Sequence, residues 1–199
     1  MSSNAKKIPK LLGILLLLGG SVILGKLFFV PLSQEIIYFT NHRSQNDSTS
    51  ELQPPNTDYA IVIPKIGAAA PIVKDVDPLD SIIYQKALTK GVAHAKGTAN
   101  PGENGSIFLF AHSSADLFTA SKYNSVFYLV HHLDDGDEIK LWYQGKEYRY
   151  QVIQKNYVNP TEVYYLNKKS SVETLILMTC WPPGTTYNRL IIVAKPLVL

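Results

Sequence analysis

One cysteine, Cys180, in 199 residues excludes any disulfide within the chain. It also excludes the Cys-rich spacing of a structural zinc site, and no closely paired histidine set replaces it. Net charge is scarce too: 19 Lys and Arg against 16 Asp and Glu leave a formal +3. Lys6, Lys7 and Lys10 precede the first apolar run, so the basic excess belongs to the N-terminus and gives no reason to expect nucleic acid. No internal repeat is present. The chain has one long apolar run, at its start.

That run, residues 11–30 (LLGILLLLGGSVILGKLFFV), has the length needed to cross a bilayer as a helix, about 20 residues. Its only charge, Lys26, lies near enough to one end to snorkel to the interface. Lysines before it and none just after it predict a single-pass signal anchor in the cell membrane, with residues 1–10 as a cytoplasmic tail and the remainder outside. A cleaved signal peptide is the alternative, but the apolar stretch is long for one and lacks a convincing A-x-A site. Residues 41–57, NHRSQNDSTSELQPPNT, carry too little apolar surface to order themselves. Residues 31–58 are therefore expected to be an extracellular tether.

From residue 59 the texture changes to short apolar runs punctuated by Gly, Pro, Asn and Asp. Strands are expected at 59–63, 70–73, 106–111, 138–143, 146–155, 173–179 and 189–195, with a hairpin turn at Gly145. Short helices are expected over 81–90 and 120–131. Many close-spaced strands predict a mainly β, closed or nearly closed barrel, and about 140 residues (59–199) suit one domain.

Cys180 sits between two apolar runs, in ETLILMTCWPPGTTYNRLIIVAK, where a strand runs out into a loop and Arg189 opens the next strand. A free cysteine at such a place is often a small apolar side chain. Only its thiolate attacks a carbonyl well, and at an ordinary pKa of about 8.5 it is mostly protonated at neutral pH. It therefore needs a proton acceptor, and His112, ending the apolar SIFLFA strand, is the natural general acid/base. Arg189 cannot take a proton, since guanidinium stays charged; its fork of donors suits an oxyanion. Thr179 is either a strand residue or a hydroxyl donor near the same carbonyl, and Trp181 either walls the cleft or packs on the rim. His94 reads as a structural histidine, and His131 and His132 as surface residues at a helix end. Cys180, His94 and His112 together lack metal-ligand spacing, so no metal is assigned. The acidic cluster Asp134, Asp135, Asp137 and Glu138 reads as a solvated turn, with calcium the lesser alternative.

LMTC at 177–180 followed by RLIIVAK at 189–195 resembles the C-terminal signature of sortases, the cysteine transpeptidases of bacterial surfaces. IPKIGAAAPIV (63–73), LTKGVAHAKGTANPGENGSIFLFAH (88–112) and LDDGDEIKL (133–141) extend the similarity in register over roughly residues 61–195. The resemblance leaves the subclass open, with class D- or E-like members in view. It implies a closed barrel of about eight strands, with His112, Cys180 and Arg189 as the catalytic trio. It further implies that Cys180 attacks an LPXTG-like sorting signal of a secreted protein, forms a thioester, and passes the acyl group to an amine of a cell-wall precursor or pilin. No cofactor is implied, although some sortases bind calcium. Residues 156–171 would form a lid, with Val163 and Tyr164, together with Thr179 and Trp181, on the substrate side. Two other functions compete: a surface cysteine peptidase with water as acceptor, and a membrane-tethered binding module in which Cys180 is core.

Overall fold

The structure is a computed structural model that describes residues 13–22, 25, 35–36, 38, 52–113, 126–162, 164–167 and 170–197. The chain divides into two compact units, Met1–Ser44 and Gln45–Leu199. In the first, residues 13–22 are helical, and Ile14 to Leu18 and Val22 are exposed. No helix among the described residues is long and apolar enough to cross a membrane. The segment expected to do so, 11–30, lies only partly among them. Residues 41–51 of the expected tether lie outside them, and the tether's end is held: Gln144 and Gly145 donate N–H groups to the carbonyls of Asp58 and Thr57, both at 2.9 Å.

The second unit is a closed eight-stranded barrel. In chain order its strands are β1 (Tyr59–Ile63), β2 (Ala68–Val76), β3 (Val92–Ala95), β4 (Ser106–Phe110), β5 (Glu138–Tyr143), β6 (Lys146–Val158), β7 (Thr174–Trp181) and β8 (Asn188–Pro196). Around the wall they run β1-β2-β3-β4-β7-β8-β6-β5, and β5 closes on β1. β2–β3 and β4–β7 are parallel; the other pairs are antiparallel. Helix α1 (Ser81–Leu88) makes the β2–β3 crossover, and a short α2 (Tyr164–Asn167) lies in the β6–β7 connection. The β5–β6 hairpin turns on Gln144 (φ 52°) and Gly145 (φ 79°), the paired positive φ angles that a tight two-residue turn demands.

Several bounds differ from the sequence reading for physical reasons. β3 was not anticipated, because four residues between glycines carry no period of their own and pair only when β2 and β4 flank them. Gly91 allows that pairing, since a Cβ there would stand 2.1 Å from the Pro71 carbonyl oxygen. β6 runs three residues past its expected end because β8 pairs with it as far as Val158. The expected lid therefore begins after Val158 rather than at Asn156. Of the helix expected over 120–131, residues 120–125 lie outside the described residues; the rest includes a 3-10 turn over Tyr128–His132.

Candidate active site

β4 and β7 set the site by their parallel register, which runs from Ser106 opposite Thr174 to Phe110 opposite Met178. Two bonds carry it one residue further. The Ala111 N–H donates to the Met178 carbonyl at 3.2 Å, and the Thr179 hydroxyl donates to the Ala111 carbonyl at 2.8 Å. His112 comes one residue after Ala111, just as Cys180 comes one residue after Thr179. Across β7 from His112's strand, Cys180 pairs with Arg189 of β8. Cys180 and Arg189 thus lie level on β7 and β8, and His112 is the second residue past the end of the neighbouring β4.

Alternation settles which face they share. Residues two apart point the same way, so Cys180 follows Met178, and His112 follows Phe110. Tyr84 of α1 packs edge-on against Phe110, with ring centroids 6.3 Å apart at 75°. A helix outside the barrel touches that face, so it is the outer one. His112 and Cys180 are both half-buried, and the Oε1 of Gln85 in α1 lies 3.2 Å from His112 Nε2. Arg189 is also half-buried, and its Nη1 donates to the carbonyls of Thr186 and Asn188 at 3.3 and 3.2 Å.

The residues expected on the substrate side fare differently. Thr179 is 3% exposed with its hydroxyl committed to Ala111, so of its two readings the strand role is the one occupied. Trp181 lies on the same side of β7 as Thr179, its ring between those of His131 (5.1 Å) and Tyr157 (5.2 Å), tilted by 47° and 46° to them. That is packing at the barrel rim. Tyr164 opens α2, is exposed, and meets Tyr165 edge-on; Tyr165 in turn accepts from Asn156 Nδ2 at 2.7 Å. Val163 lies outside the described residues.

The remaining histidines separate cleanly. His94 is 1% exposed, its register partner is Leu109, and its Nε2 meets Ala99 O at 3.1 Å and Thr98 Oγ1 at 2.8 Å. Leu109 faces away from Phe110, so His94 and His112 occupy opposite faces, and a Cys180-His94-His112 metal set does not assemble. Burial pushes the His94 imidazole below its usual range, against the opposing bond to Ala99. His131 and His132 do stand at a helix end, closing the 3-10 turn, but as half-buried rings 4.0 Å apart with His131 against Trp181. In the acidic cluster, ammonium groups stand among the carboxylates: Lys65 bonds Asp134 (3.0 Å) and Asp137 (2.7 Å), and Lys155 bonds Asp134 (3.0 Å). Lys155 first and Lys65 second hold the Asp134 carboxyl down at about 2.

Two features had no signal in the sequence: Gln85, brought to His112 by a helix, and a cavity of about 900 Å³ at the start of β4. The cavity is lined by Leu79, Lys96, Glu103, Ser106, Leu166 and Ser170 among others, from three connections and the first residue of a strand.

Comparison with known proteins gives a consistent result. A family model described as the Sortase domain matches residues 61–197. Sortase D of Bacillus subtilis (strain 168) is 29% identical over 156 residues, covering 77% of this chain and 70% of its own. The lid mutant of sortase A from Corynebacterium diphtheriae is similar with a TM-score of 0.58 and 25% identity, covering 76% of this chain and 75% of its own. Sortase C from Clostridium perfringens SM101 gives 0.57 and 25%, with 85% and 88% covered. The family match spans the barrel from β1 to β8, and on that ground the chain belongs to the sortase family of cysteine transpeptidases.

Proposed function

We propose that this chain is a membrane-anchored transpeptidase that cleaves an LPXTG-like sorting signal of secreted proteins through Cys180. It then transfers the acyl group to an amine of a cell-wall precursor or pilin. The observation that supports the reading is the direct pairing of Cys180 with Arg189, beside a β4 end whose Ala111, next to His112, is bonded to Met178 and Thr179. His112 takes the thiol proton, and the sulfur attacks the scissile carbonyl carbon. Arg189 donates to the oxyanion that forms; with Nη1 turned to its own loop, Nε and Nη2 are the groups for this task. Collapse breaks the C–N bond, His112 returns the proton to the leaving amine, and a thioester remains. The incoming amine gives its proton to His112, attacks the thioester and restores the thiolate.

An extended signal fits the same strands. Six residue steps separate Ser106 at the cavity from His112, about 20 Å at strand rise, which is the reach of five or six extended residues. The cavity would take the signal's leading residues, with Leu166 and Ser170 of the β6–β7 connection in its lining. Residues 11–30 support the anchor: they are long and apolar enough in sequence, and the described helical leucines are exposed, as suits an apolar medium.

The test is incubation of the full chain with signal peptides and an amine, followed by mass spectrometry. An acyl adduct on Cys180 and a new amide are expected. Neither adduct nor product with any signal removes the proposal, and cleavage alone with amine present points to a peptidase instead.

A further inference from the structure

We propose that Gln85 is a positioning residue for His112, fixing which ring nitrogen exchanges protons with Cys180; this rests on the transpeptidase reading above. α1 is held at both ends. Its first turn is capped by Asp80, whose carboxylate accepts the N–H groups of Ile82 and Ile83 at 3.0 and 3.1 Å. Its last turn is seated by the buried Ala87 and Leu88. Between them Tyr84 packs on Phe110, two residues before His112. Gln85 follows Tyr84 directly and is exposed, so nothing in core packing requires an amide there.

Its Oε1 nevertheless stands 3.2 Å from His112 Nε2. A carboxamide oxygen only accepts, so the contact selects the neutral imidazole that carries its proton on Nε2. Proton traffic then runs through Nδ1. In the first half-reaction Nδ1 receives the thiol proton and delivers it to the leaving amine. In the second it receives the proton of the incoming amine and returns the site to its starting state. The Nε2 proton stays on the ring throughout, donated to Gln85 Oε1. An amide at this position orients the ring without adding a charge; a carboxylate would favour the imidazolium and raise its proton affinity.

The experiment compares the full chain with Gln85→Ala and Gln85→Glu, reading His112 ring ¹⁵N shifts and the pH profile of amide formation. The position is exposed on a helix and alanine is the best helix former, so both variants retain the fold. The wild type should show the Nε2–H tautomer. Gln85→Ala should mix the tautomers and lower kcat about tenfold with KM within about twofold. Gln85→Glu should move the limb that reports His112 upward by about one pH unit. Unchanged tautomer and kcat in Gln85→Ala, or an unmoved limb in Gln85→Glu, overturns the proposal. Absence of amide product from the wild type sinks the transpeptidase reading instead, and the ¹⁵N shifts still decide the role of Gln85.

Discussion

His94 lies in β3 and His112 two residues past the end of β4, its antiparallel neighbour, yet the barrel makes opposite things of them. His94 faces the interior, with Nε2 bonded to the loop that follows its own strand, and burial disfavours its charged form. His112 stands just past the end of β4, half-buried on the outer face and beside a helix. The chemistry of the ring is the same in both. One residue of strand parity and a few residues of strand length decide whether it holds a loop inside the barrel or meets a helix on its outer face.

The comparison breaks most sharply by truncating each ring. His112→Ala, or Cys180→Ala, should lower amide formation by about 10²–10⁴-fold or more, with thermal unfolding little changed because both sites are half-exposed. His94→Ala should do the reverse. A buried cavity and two lost bonds should cost roughly 2–4 kcal/mol in denaturant unfolding, with activity per folded molecule retained.

Thr179 links the two sides of the comparison, since it is buried like His94 but ties the strand that presents His112. Thr179→Val leaves the Ala111 carbonyl short of a donor, costs about 1–3 kcal/mol and lowers kcat about tenfold by loosening the register of His112 and Cys180. Titration sharpens the contrast further. Burial depresses the His94 pKa, so below about pH 6.5 the unfolded chain takes up that proton before the folded one. Its contribution to stability is full above that pH and is lost as pH falls through the folded value. Urea unfolding across pH 7.5 to 5 should show the decline, and His94→Gln should flatten it. Asp134 gives the smallest effect. Its depressed carboxyl contributes stability above about pH 4 that is lost as pH falls toward 2, but two-thirds exposure limits Asp134→Asn to below about 1 kcal/mol at neutral pH.

Much of this was legible in the residues. β1 and β5 carry their own apolar runs and match the expected strands residue for residue, and Gly145 announces the β5–β6 hairpin. β3 did not, because its pairing partners and not its composition make it a strand. Trp181 keeps two readings in sequence, and the burial of the histidine pair is hidden there, for a related reason. Whether a ring walls a cleft or plugs a rim depends on which face of β7 it shares, and that is set by Thr179 and Cys180 beside it. The acidic cluster gave its charge to the sequence reader but hid its partners, since Lys65 is 69 residues from Asp134.

The sequence by itself determined the chemistry available: one thiol at a strand end, a histidine closing an apolar strand, an arginine opening the next, and a barrel to carry them. Only the tertiary structure decided their relation, because parallel pairing of β4 with β7 joins residues 68 apart and no local pattern encodes such a register. It alone brought a helical glutamine to the imidazole, since that meeting depends on how α1 lies across the outer face of the barrel.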